Sequence, residues 1–140
     1  MYDERLKEEF EKKFPNFLEL SKKDFCHLWN RISWISFQKG ETIFQQGAPG
    51  LGIYFLLRGE VKVSHRTQVG KKLTFKVAGP GDYLGLCTLF NKENYITYSK
   101  PTGKANVGFL ERGEFVILLK NYPSLLFKFC NYLSTQMMAY

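Results

Sequence analysis

Eleven of the twelve glycines in this 140-residue chain fall between residues 33 and 110. They are Gly40, Gly47, Gly50, Gly52, Gly59, Gly70, Gly79, Gly81, Gly85, Gly103 and Gly108. Glycine at that density rules out long helices across the segment and marks repeated sharp turns. Between the glycines lie short apolar or alternating runs, at 33–38, 42–44, 52–57, 60–66, 72–78, 97–99 and 105–110. Many short strands separated by glycine turns predict a mainly β fold, a barrel or jelly roll, and not a βαβ sheet. Gly59-Glu60, between IYFLLR and VKVSH, reads as a hairpin turn.

Helical texture flanks this segment on both sides. Leu6, Phe10 and Phe14 recur every four residues, which predicts a helix over 3–14 that Pro15 ends. Ser21 and Asp24 form an S-x-x-D capping pattern ahead of Phe25, Leu28 and Trp29, which predicts a helix over 22–31. Beyond residue 110, helices are expected over 111–120 and 124–140. Asn121-Tyr122-Pro123 separates them, and Ser124 is the expected N-cap of the second. The chain shows no repeat, low-complexity tract or linker, and 1–140 reads as a single domain.

The composition narrows the function classes. The net charge is +7, yet residues 1–24 hold seven acids against six bases, so the rest carries +8. Such a surface attracts polyanions or merely keeps the domain soluble, and no run of like charge exceeds two residues. Three cysteines, Cys26, Cys87 and Cys130, at wide spacing give no disulfide framework and no zinc knuckle. Free thiols, a charged N-terminus and no apolar stretch near the ~20 residues of a membrane span predict a cytoplasmic protein without membrane contact.

Catalytic patterns are missing. There is no G-x-S-x-G, P-loop or Ser/His/Asp arrangement, and His27 and His65 alone cannot supply the metal site of a jelly-roll cupin enzyme. Cys26 and His27 are helical neighbours that point apart. The chain is therefore expected to be neither an enzyme nor a metal protein, and no cofactor is expected.

Three blocks carry a resemblance: FQKGETIFQQGAPGLGIYFLLRGEVKV at 37–63, GPGDYLGLCTLF at 79–90 and YPSLLFKFCNYLSTQ at 122–136. Together they resemble the cyclic nucleotide-binding sensor domain of the CRP/FNR superfamily of bacterial transcription regulators. The resemblance implies an eight-stranded double-stranded β-helix, or jelly-roll barrel, with N-terminal helices and a C-terminal dimerisation helix. It also implies a small-molecule effector, a homodimer in the full-length regulator and DNA contact only through a further C-terminal domain. The 17 residues 124–140 make about 25 Å of helix, too little for a helix-turn-helix module.

In relatives that bind cyclic AMP, the phosphate lies at a helix N-terminus after the G-D-x-x-G turn. A glutamate follows the last glycine, and an arginine stands about ten residues later. This chain keeps Gly81, Asp82 and Gly85 but has Leu86 at the glutamate position and Ile96 at the arginine position. Lys100, about 13 Å further along an extended strand, is too distant to replace the arginine. The expected pocket residues are Val63, Phe75, Gly85, Leu86, Cys87, Thr88, Ile96, Thr97 and Tyr98. Either a less polar effector binds there or side chains fill the space. Cys87, at the helix start, is the one reactive-thiol or haem-ligand candidate. Residues 1–25 hold no cysteine, so the iron–sulfur branch of the superfamily is not expected.

The stripe Leu125, Phe129, Leu133 and Met137 is the expected dimer interface. The alternative role is a stand-alone small-molecule-binding or protein-interaction module on the same fold.

Overall fold

The computed structural model describes residues 4–88 and 93–138. Helix α1 spans Glu4–Lys13 and a 3-10 turn follows at Pro15–Glu19, before α2 at Lys22–Arg31. The strands are β1 Ser33–Phe37, β2 Gly52–Arg58, β3 Val61–Arg66, β4 Lys72–Ala78, β5 Tyr83–Leu84, β6 Tyr98–Pro101 and β7 Ala105–Glu111. Helices α3, Arg112–Asn121, and α4, Pro123–Met138, complete the fold.

Among the described residues, seven strands form two antiparallel sheets, ordered β1-β7-β2-β5 and β4-β3-β6. This bears out a mainly β fold flanked by helices and corrects the expected eight-stranded jelly-roll barrel to two separate sheets that do not close into a barrel. The run at 42–44 does not form a strand, only a bridge between Phe44 and Ser99. Its segment does run beside β6, with hydrogen bonds from Ile43 N to Ser99 O and from Gly47 N to Tyr95 O. The left-handed turn at Gly47 (φ +87°) breaks a continuous ladder there. The two-residue β5 gave no periodic signal of its own in the sequence.

Gly59-Glu60 is not a hairpin turn. Strand β2 pairs with β5 and β7, whereas β3 pairs with β4 and β6, so the chain changes sheets at this point. Gly59 has φ +100°, and a Cβ there would lie 2.6 Å from the carbonyl oxygen of Lys104. Only glycine satisfies both conditions.

Strand β2 lies at the centre of the molecule, which explains its unbroken apolar run. Ile53, Phe55 and Leu57 face the helices, and Leu56 faces the second sheet. The helix side is an aromatic core around Phe10, whose ring lies 5.4 Å from Phe14 and 5.5 Å from Phe55. Ser21 caps α2 by accepting from Asp24 N at 3.1 Å, as its S-x-x-D pattern predicts. Helix α4 begins at Pro123, not at Ser124. Proline suits a first helical turn because its missing N–H has no intrahelical partner there. Ser124 instead donates its hydroxyl to Glu19 Oε1 at 2.6 Å.

Leu125 and Phe129 correct the expected interface. They are 0% and 2% exposed within this one chain, where the Phe129 ring lies 4.7 Å from Tyr83 and 4.8 Å from Phe115. Side chains enclosed by their own domain have no surface to offer a partner.

Candidate functional site

The turn Gly79–Gly85 is shaped from within. Asp82 accepts from Gly79 N at 2.9 Å, and Gly81, in the left-handed region, donates its N–H to Leu56 O at 2.9 Å. Gly85 is also left-handed, and a Cβ there would lie 3.0 Å from the Tyr95 ring. Tyr95 is fixed by stacking on Phe44 at 4.3 Å and by donating its hydroxyl to Gly52 O at 3.0 Å. The chain then enters a single 3-10 turn at Leu86–Thr88, where Thr88 Oγ1 donates to Gly85 O at 3.1 Å.

Beside this turn lies a cleft of about 590 Å³. Of the expected residues it gathers Val63, Phe75, Gly85, Leu86, Ile96 and Thr97. Thr88 is buried and bonded to the turn, outside the lining. The side chain of Cys87 lies outside the described residues.

Tyr98 is a correction. It lines two solvent grooves on the opposite face of β6, together with Lys100, and Arg66 sits 5.0 Å over its ring. Side chains alternate along a strand, so Thr97 facing the cleft sends Tyr98 and Lys100 away from it. Ile96 sits at the mouth, 59% exposed. Its carbonyl accepts from His65 Nδ1 at 2.9 Å, and the His65 ring stacks on Phe75 at 5.9 Å.

The sequence reading missed one wall entirely. Tyr132, Leu133, Gln136 and Met137 of α4 close the cleft, and Lys76 joins them from β4. Leu133 and Met137, expected at a dimer interface, therefore face the cleft. The missed signal is that Tyr132 and Gln136, at i+7 and i+11 from Leu125, continue the buried Leu125–Phe129 face of α4, with Leu133 and Met137 along its edge. Lys76 reaches the cleft through a β-bulge. Val63 pairs with Lys76 and Ser64 with Thr74, leaving Phe75 as the extra residue, so Phe75 and Lys76 both line the cleft.

Tyr132 ties α4 to the turn. Its hydroxyl donates to Asp82 Oδ1 at 3.1 Å and accepts from Tyr83 N at 3.2 Å. Burial, reinforced by the neighbouring Tyr132 phenol, pushes the Tyr83 phenol far above its ordinary pKa, although a hydrogen bond with Asn16 opposes this. Among the described residues, no group of three or more His, Cys, Asp or Glu side chains is placed to hold a metal ion.

The glycine-framed turn and the strand walls of the cleft fall within a match over residues 34–122 to the model of the cyclic nucleotide-binding domain, while the α4 wall lies beyond it. This chain belongs to that family. The domain is 30% identical over 64 residues to a CRP-like cAMP-activated global transcriptional regulator of Mycobacterium tuberculosis, covering 46% of this chain and 29% of the relative. It is 33% identical over 84 residues to the cAMP-dependent protein kinase regulatory subunit of Dictyostelium discoideum, covering 58% of this chain and 26% of the relative. The matched segments thus span less than a third of either relative. The fold resembles that of the sensor domain of the transcriptional regulator DNR from Pseudomonas aeruginosa. That likeness has a TM-score of 0.82 at 20% identity, over 95% of this chain and 89% of that one. Among the described residues no helix is long and apolar enough to cross a membrane.

Leu86 and Ile96 occupy the positions that the sequence resemblance gives to the ribose-binding acid and the phosphate-binding arginine. Lys76 is the one cation among the described lining residues.

Proposed function

We propose that this domain is the effector-sensing part of a transcription regulator of the CRP/FNR type, and that its effector is a largely apolar small molecule, not cyclic AMP. The observation that carries this reading is the cleft itself: about 590 Å³, open to solvent at Ile96, and walled mainly by Val63, Phe75, Leu86, Leu133 and Met137. Its volume lies within the roughly 300–1,000 Å³ of small-molecule sites, which favours an effector over a cavity filled by side chains. A cyclic phosphate there would lose its arginine and its ribose acceptor. Each charged hydrogen bond contributes about 1.5–3 kcal/mol, so both losses weaken binding by about two to four decades.

Helix α4 is both a wall of the cleft and the element that the resemblance assigns to dimerisation. An effector that shifts α4 alters what the helix presents to a second copy. Phe127, 76% exposed on the far side of α4, is one large apolar residue available for that contact, alongside Met137 and Met138 at the end of the helix. DNA contact belongs to a further domain of the regulator. Native mass spectrometry of freshly purified protein tests the reading. It is expected to show a co-purifying apolar molecule or, after addition of cyclic AMP, no bound nucleotide; a stoichiometric cyclic-nucleotide complex overturns it.

A further inference from the structure

We propose that the cleft takes an amphipathic monocarboxylate, an apolar chain or ring system bearing one acid group, and that the acid group sits on Lys76. This rests on the cleft being the effector site and adds the chemistry of its ligand.

The Lys76 ammonium is half-buried at the junction of β4 and α4. It donates to Gln136 Oε1 and lies 5.9 Å from the centre of the Tyr132 ring. No Asp or Glu is among the described residues of the lining. Asp82 approaches only through the Tyr132 hydroxyl. A neutral amide is a weaker partner for an ammonium than a carboxylate is, so an incoming acid group displaces Gln136.

One cation matches one negative charge. A phosphate dianion would leave a charge uncompensated in a largely apolar cleft. A nucleoside carries more hydroxyls and base edges than Thr97, Gln136 and Tyr132, the few neutral polar side chains of these walls, can pair. An aliphatic or aromatic body leaves nothing unpaired. Displacement also frees the last turn of α4 from β4, while the Tyr132–Asp82 bond still holds its middle, so ligand binding is read at residues 136–138.

The test uses the full 140-residue chain, the neutral dye Nile red as reporter, and decanoate and decanol as competitors. Near-UV circular dichroism checks that each variant is folded. In the unmodified protein, decanoate is expected to displace the dye at least about tenfold more strongly than decanol, the minimum for one charged hydrogen bond. Lys76→Met abolishes the preference without weakening decanol, Lys76→Arg retains it, and Gln136→Leu strengthens decanoate. Equal competition in the unmodified protein, or a preference that survives in Lys76→Met, overturns the carboxylate assignment while leaving the apolar cleft standing. Failure of both competitors overturns the cleft reading as well.

Discussion

Tyr132 of α4 donates its hydroxyl to Asp82 at 3.1 Å, so the C-terminal helix is bonded directly to the turn that frames the cleft. The same oxygen accepts from Tyr83 N, and the Tyr132 ring packs edge-on against Tyr83 at 5.1 Å. Tyr132→Phe keeps the ring and removes both hydrogen bonds. The expected cost is about 1–3 kcal/mol, since the Tyr83 amide loses its side-chain partner. Urea denaturation measures it, and hydrogen exchange should show faster opening of the second half of α4. An unchanged exchange pattern there would mean that packing alone holds the helix.

Much of this architecture is legible in the sequence, for physical reasons that also set its limits. The Leu6–Phe10–Phe14 repeat and the Ser21 cap are local signals, and helices are formed by local contacts. Gly59 was legible as a turn but not as a change of sheet, because strand partners depend on distant segments. Leu133 and Met137 read in the sequence as a face needing cover, yet the packing of Phe129 on Tyr83 and Phe115 turns them to the chain's own cleft, at whose edge Met137 stays 75% exposed. Lys76 was illegible because the bulge at Phe75 reverses the alternation that would have pointed it outward.

Ile96 offers a gain-of-function test. It is largely exposed at the mouth, so arginine there buries no new charge. Cyclic AMP and cyclic GMP are expected to show no micromolar binding to the unmodified domain. Ile96→Arg should raise the affinity for cyclic AMP by at least about tenfold, the equivalent of one charge-assisted hydrogen bond. Calorimetry decides both points. Micromolar binding by the unmodified protein would show that the nucleotide uses another set of contacts.

Phe127 and Phe129 lie on one helix and should behave oppositely. Phe129 is buried against three aromatic rings, Phe17, Tyr83 and Phe115. Phe129→Ala is expected to destabilise the fold by about 3–5 kcal/mol through the cavity it leaves. Phe127→Ser should change the denaturation midpoint little, by about 0.5 kcal/mol or less, as for other exposed positions. It should instead reduce self-association at high concentration in analytical ultracentrifugation. A large loss of stability in Phe127→Ser would place that ring in the core.

Three carboxylates fasten the helices to the rest of the chain, and they contribute to the acid limb of the stability profile. The Arg58 side chain, bonded to Glu9 at 2.8 Å, lowers the Glu9 pKa. Hydrogen bonds from Lys128 and Ser124 lower that of Glu19, and one from Tyr122 lowers that of Asp24. A carboxylate with a depressed folded-state pKa contributes stability that is complete above its unfolded value, near pH 4, and lost as the pH falls toward the folded value. Thermal melts should therefore be flat from about pH 7 to 5 and fall below about pH 4, with a shallower fall in Glu9→Gln and Glu19→Gln. Tyr54 and Tyr83 set the opposite limit, because burial raises both phenol pKa values. Their folded state binds the proton more tightly than the unfolded state does. Their contribution is complete below about pH 10 and declines as the pH rises beyond it. Tyr83→Phe should flatten the alkaline limb while leaving the acid limb unchanged. If it leaves both limbs unchanged, the phenol of Tyr83 reaches water in the folded protein, and the packing described for Tyr132 over it cannot be right.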